Sequence, residues 1–412
     1  MVNLHIDGML PFVYDYSRIF LQSKERKKEM TYSNVEFTVR YVDPTLTING
    51  SGLTPSEAMN ALPTSASQFQ DNTAYIIRRT SESSAVKLPN GTNSSIKNIL
   101  FIGMPNPTDT LYELMPDEAK TAWGKDSNEY ANIQFESTSG SFQLSNVNHF
   151  LLHRVYLFRD GINADGYIFK MSNTSSRIGC YSIENCKFGS RGINLDSSSY
   201  TEEIASSRCK AYIYVYYARI LNIQNCIINH AVTGNTSSPC GIYCYFADIL
   251  NVENIKVFTP VWTDMYNSYP LYLSGTSQKG VECRIKNIEQ IIRFNGSASK
   301  VPTLFYLQGY ISCEISNIVV KMGEALSATR PTQFSIEAAL MHLGSVYEVS
   351  LTDVSVDIPN CWLARYPVLR LDRCYTGNYV PGIVKKIENV RIALAESEGI
   401  GSPASYEDVS DD

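Results

Sequence analysis

The sequence runs to 412 residues and 46.1 kDa, room for two average domains or for one elongated β domain. Its formal net charge of -6, with 18% charged residues, provides no general basic field and excludes a nucleic-acid partner. Tyrosine (27 residues), isoleucine, valine, threonine and asparagine recur throughout, a strand-and-turn composition that predicts an all-β chain.

The chain opens MVNLHIDGMLPFVYDYSRIF, in which Asp7, Pro11 and Asp15 interrupt the hydrophobic residues. This predicts no signal peptide, and no stretch approaches the roughly 18 consecutive apolar residues that span a bilayer, so no membrane insertion is expected. The charged run KERKKE follows at 24 to 29. Residues 53 to 63, LTPSEAMNALP, predict a short helix over about 54–62: Thr54 caps it, Pro55 takes the first helical position, Glu57 completes a capping box and Pro63 stops it. Strand-like AYIIRR (74 to 79) and IKNILFIG (96 to 103) come next, then a second short helix within LMPDEAKTAWG (114 to 124) and a strand region at FLLHRVYLF (150 to 158). His149 and His153 flank that apolar stretch and are expected at a coil edge.

From residue 182 onward one phrase recurs, as in ILNIQNCIIN at 220 to 229 and ILNVENIKVF at 249 to 258. Its asparagine column is Asn185, Asn225, Asn254, Asn287, Asn317, Asp353 and Asn389, at steps of 40, 29, 33, 30, 36 and 36 residues. A constant phrase at unequal spacing is one structural unit joined by loops of variable length, the mark of a solenoid. The alternation of apolar residues breaks at the Asn, and a single left-handed residue there would bend the strand and restore it. The predicted fold is therefore a single-stranded parallel β-helix with the Asn side chains forming a buried hydrogen-bonded ladder.

The ten cysteines contain no CxxC pair, and Cys240 with Cys244 lacks the ligands of a zinc site, so reduced buried thiols are expected, with no metal or other cofactor. Cys186 and Cys226 follow their Asn directly and Cys283 and Cys313 precede theirs by equal offsets, so each pair should stack. The sequons at Asn49, Asn90, Asn173, Asn235 and Asn295 read as turn sequences. Tyr212, Tyr214 and Tyr216 alternate with Ile213 and Val215; with Trp262 they are the candidate glycan-facing aromatics, a stacked aromatic ladder being the alternative.

With these features the chain resembles the right-handed parallel β-helix proteins of the pectate-lyase-like superfamily, particularly tail spikes, fibres and other virion proteins of tailed bacteriophages. The resemblance rests on the segment ahead of GSGLTPSEAMNALP, the predicted capping helix and the Asn-bearing coils, over roughly residues 41–395. It implies a homotrimer, attachment to other virion proteins through residues 1–40, release by lysis rather than secretion, and contact with host-surface polysaccharide. It also implies a structural virion role, with polysaccharide depolymerase, hydrolase or lyase, as the alternative. A glycosidase needs two carboxylates about 5 to 10 Å apart. Asp160, Asp165, Glu202, Glu203, Asp248 and Asp264 are the candidates, and spacing singles out none of them. Residues 396–412 are expected to be an acidic flexible tail.

Overall fold

A computed structural model of the chain describes residues 29–135, 139–159, 165–173, 179–190, 211–232, 240–262, 268–274, 280–296, 298–325, 333–336, 338–363, 368–372 and 383–394. Long parallel sheets dominate: one of sixteen strands, one of nine and a third of two. Through most of the chain, strands of the two large sheets alternate. Ala218–Asn229 lies in the first, Cys240–Cys244 in the second, and Ala247–Val261 returns to the first, beside Ala218–Asn229 and in register with it. Each return adds a rung, and the large sheet carries eleven parallel rungs from Val35–Val42 to Ile383–Ala393. At roughly 4.8 Å per rung the stack is about 50 Å long.

The strand Gly280–Phe294 shows how the sequence builds a rung. Cys283 and Ile285 point inward before Asn287, whereas Ile288 and Ile292 do so after it, so the inward parity changes at the Asn. All seven predicted column positions have left-handed backbones, with φ between 52° and 56°. A single residue therefore bends each long strand and keeps both of its arms facing the core. The core positions stack in columns. One runs Tyr75, Phe101, Leu152, Ile183, Ile223, Val252, Ile285, Ile315, Leu351 and Ile387. The first nine are at most 3% exposed, each such side chain contributing roughly 1.5–3 kcal/mol of burial. The last, Ile387, is 43% exposed.

The corner is built differently in the early rungs. Arg154 aligns with Asn185 and has φ 50°. Gly103 aligns with Arg154, and there the chain leaves the sheet until Ala131, which resumes beyond the corner opposite Val155. A Cβ on Gly103 would lie 2.1 Å from the Arg154 carbonyl oxygen, so only glycine permits this approach. One rung earlier, residues 78–85 fill the same gap between Thr73–Ile77 and Val86–Leu88. The loop 104–130 carries the 3-10 turn Thr110–Leu114 and the helix Asp117–Trp123, placing a helix inside the predicted 114 to 124 window. Ala119 and Trp123 cover the outward face of the first rungs, against Tyr41, Ile76 and Ile102 in a second apolar cluster.

The predicted helix over 54–62 is only the 3-10 turn Pro55–Glu57, with Thr54 Oγ1 accepting from the Glu57 N–H at 3.1 Å. It stops there because Met59 is drawn into a bridge with Val42. Ala58 and Leu62, just beyond that turn, are buried against the early core. Phe69, beside the 3-10 turn Ala66–Gln68, enters the core between Tyr75, Phe101 and Phe142, at ring separations of 5.3, 6.0 and 4.8 Å. Asn93 Nδ2 fixes that segment by donating to the carbonyls of Ala66 and Phe69. At the same end the sheet edge is covered by the antiparallel strand Glu29–Tyr32. The sheet thus begins inside the predicted segment 1–40, of which residues 1–28, like the tail 396–412, lie outside the described residues.

Candidate functional site

Three side-chain arrangements have the makings of a site: the asparagine corner, the outer face of the nine-stranded sheet, and a buried charged cluster at the early corners.

At the corner, Asn254 Nδ2 donates to Asn225 Oδ1 at 2.9 Å, Asn287 to Asn254 at 2.8 Å and Asn317 to Asn287 at 2.8 Å. Asn389 donates to Asp353 at 2.9 Å. The ladder exists, but it faces solvent from Asn225 onward, which corrects the expectation of a buried one. A left-handed bend puts the core on its concave side, and the corner side chain points away from it. Asp353 has no N–H to offer Asn317, so the chain of amide bonds is interrupted there. A second row lies three residues before the corner, where Asn251 donates to Asn222 at 2.9 Å.

The predicted aromatics separate. Tyr212 is buried and donates its hydroxyl to the Asn229 carbonyl at 3.1 Å, while Trp262 follows the end of the strand Ala247–Val261, away from the nine-stranded sheet. Tyr214 and Tyr216 are half-buried on that sheet's outer face. The register adds Tyr243, Tyr272 and Tyr306 above Tyr214, with ring centroids 5.0, 4.5 and 4.8 Å apart and planes within 25° of parallel. Tyr216 stacks on Tyr245 in the same way, at 4.7 Å. Inner rings of such a ladder spend both faces on each other, so only ring edges and hydroxyls are left for a ligand. Lys170 Nζ lies 5.9 Å from the Tyr214 ring at one end, and His342 meets Tyr306 edge-on at the other. Tyr243, Tyr245, Tyr272 and Tyr306 were legible one by one, as residues one to three coils after Tyr214 and Tyr216, and only the register joins them.

Of the candidate carboxylates, Asp165 and Asp248 fall on described strands, and these belong to different sheets. Asp160, Glu202, Glu203 and Asp264 lie outside the described residues. Asp165 opens the strand Asp165–Ser172 of the nine-stranded sheet, and Asp248 is half-buried on Ala247–Val261 of the large one.

The buried charged cluster was not anticipated. His153, 2% exposed, sits between Asp109, whose Oδ2 is 3.6 Å from Nε2, and Glu184, whose Oε2 is 3.5 Å from Nδ1. These separations exceed a hydrogen bond, so the imidazole is held by charge. Burial alone would lower its pKa, but the two carboxylates outweigh burial and raise it. Arg154 grips Asp109 through Nε and, at 2.9 Å, through Nη2. Burial would raise the Asp109 carboxyl, but Arg154, His153 and the Asn106 N–H hold it well below the usual carboxylate range. Arg79 meets Asn106 nearby, and Arg78 spans Asp43 at 2.9 Å and Asp126 at 3.2 Å. Asp109 and Asp126 both belong to loop 104–130, so the cluster fastens that loop to the sheet. His153 and Glu184 hold equivalent pre-corner positions, a relation visible in sequence once Arg154 is read as a corner.

Of the described thiols, Cys186, Cys226, Cys244, Cys283, Cys313 and Cys361 are buried as expected, whereas Cys180 is half-buried. Cys283 pairs in register with Cys313, and Cys186 and Cys226 occupy the same column in neighbouring rungs, all buried. Burial pushes the Cys244 thiol up to about 12. Such thiols are poor nucleophiles and metal ligands. Among the described residues no group of His, Cys, Asp and Glu forms a metal cluster. Asn173, one of the sequons, is fully buried with Nδ2 donating to Tyr181 at 2.9 Å, which leaves no room for a glycan.

Comparison with protein-family models, curated proteins and solved structures finds no match for this chain.

Proposed function

We propose that the chain is a right-handed, single-stranded parallel β-helix and serves as a structural component of a tailed-phage virion, in a tail spike, fibre or related appendage. The observation that carries this reading is the stack of parallel rungs, turned from Arg154 onward by one left-handed residue each. Such a stack is a stiff rod whose every rung depends on its neighbours, suited to transmitting load and presenting loops along its flank. In this reading the subunits form a homotrimer, residues 1–40 attach it to other virion proteins, and the flank contributes to recognition of host-surface glycan.

Light scattering on the full chain tests it. A mass near three times 46.1 kDa is expected, and a monomer at all concentrations would overturn the trimeric appendage. Electron microscopy of the same sample should show a rod whose length matches the stack of rungs.

A further inference from the structure

The nine-stranded sheet turns tyrosines outward and oxidisable sulfur inward. Tyr214, Tyr243, Tyr272 and Tyr306 form one outward column and Tyr216 and Tyr245 the next, all half-buried. Cys244, Met171 and Met341 of the same sheet face the core and are buried. Within the columns each ring lies over the ring one rung away. Tyr243 with Tyr272 is the flattest pair, at 4.5 Å and 9°, and Tyr272 with Tyr306 follows at 4.8 Å and 14°. Near-parallel rings at these separations set the ortho carbons of one beside those of the next.

We propose that this ladder is a site of oxidative coupling, at which a one-electron oxidant derived from peroxide joins tyrosines of adjacent rungs as dityrosine. Each of two neighbouring phenols gives one electron to the oxidant and its hydroxyl proton to solvent. The two phenoxyl radicals then form one carbon–carbon bond between ortho carbons, and the hydrogen on each joined carbon moves to the phenol oxygen. Two electrons and two protons leave per link, and together they reduce one peroxide to two waters. The register holds the reacting rings side by side before oxidation, so coupling needs no encounter between molecules.

The geometry also ranks the products. Links join consecutive rungs, with Tyr243 to Tyr272 foremost, and Tyr216 to Tyr245, 4.7 Å apart, in the second column. Tyr214 and Tyr216 lie on one strand with centroids 6.3 Å apart and are not expected to couple. Each link ties two rungs across the intervening loop, so the linked stack resists unfolding as a chain closed by a disulfide does.

Photo-oxidation of the full chain tests the proposal, with ruthenium tris-bipyridyl and persulfate as a small one-electron oxidant, in buffer and in urea. Dityrosine fluorescence should be about tenfold higher from the folded than from the unfolded chain, and the product should keep the size of one chain after denaturation. Peptide mapping should recover the Tyr243 peptide joined to the Tyr272 peptide, less two hydrogens. Tyr272→Phe keeps the ring and its packing, so the fold is retained while that product disappears and the folded-state yield drops. Tyr112→Phe, outside the ladder, should leave the yield unchanged. Equal yields from folded and unfolded chains, links that join separate chains, or an unchanged yield in Tyr272→Phe would each overturn the proposal. Because products are sized after denaturation, none of these results bears on the mass that tests the trimeric reading.

Discussion

From Asn185 onward every rung turns its corner with one residue, and before it no rung uses an Asn there. Arg154, the loop 104–130 and residues 78–85 take its place. The late rungs hold together by repetition: thiol and aliphatic columns inside, amides at the corner, and ion pairs such as Lys286 with Glu314 at 3.1 Å on the outer face. The early rungs hold together through unique contacts, with Phe69, Phe101, Phe142, Phe150 and Phe169 packed in the core and Asp109 clasped by Arg154. Repetition spreads stability thinly over many equivalent places, whereas a lock concentrates it.

Substitutions should expose that contrast. Phe101→Ala, which empties the centre of the early aromatic core, should cost about 3–5 kcal/mol, while Ile285→Val in a late rung should cost about 0.5–1.5 kcal/mol, both read by urea denaturation. Similar costs would erase the distinction between the two regions. Arg154→Asn installs the late-rung residue at an early corner. Its backbone fits, but Asp109 loses its cation, and a loss of about 2–3 kcal/mol is expected, with faster proteolysis within 104–130. At a late corner, Asn254→Leu should cost about 1–3 kcal/mol because a branched side chain resists the left-handed backbone. Asn254→Gly, which frees the backbone and removes only solvent-facing amide bonds, should cost less than about 1 kcal/mol.

Acid should separate the regions too. His153 in the early region has a raised pKa, so its contribution is fully present below pH 6.5 and is lost as pH rises through its folded value. His230 in the late region is fully buried, 2.6 Å from Ser268 Oγ, and burial lowers it to about 3. Its contribution is present above pH 6.5 and falls away as pH drops from there toward 3. His230→Gln should therefore flatten the acid limb of stability against pH, and His153→Gln the alkaline limb. The smallest effect expected is a gain. Asp353→Asn supplies the missing donor to Asn317 and should add about 0.5–1 kcal/mol, visible as a higher urea midpoint.

The same contrast explains what was legible in the sequence. The Asn column, the stacked thiols and the tyrosine alternation can be read because each late rung repeats the last one's solution, and identical neighbours in space are similar neighbours in sequence. The ladder's exposure was misjudged because an amide repeat says nothing of which side of the bend it occupies. Asp109, His153 and Glu184 were unreadable as a group. They lie on three segments whose meeting depends on where loop 104–130 leaves the sheet, and Gly103 marks that place without a repeating phrase. The helix at 54–62 failed because its capping signals are local, whereas the Met59 bridge to Val42 is not.

The corner ladder has a direction. In every amide bond it makes, the later rung donates and the earlier rung accepts. A ribosome delivers rungs in the same order, so each new corner meets an acceptor already fixed by the rung before it. That order would let the locked early rungs, which leave the ribosome first, serve as the foundation on which the repetitive ones are laid.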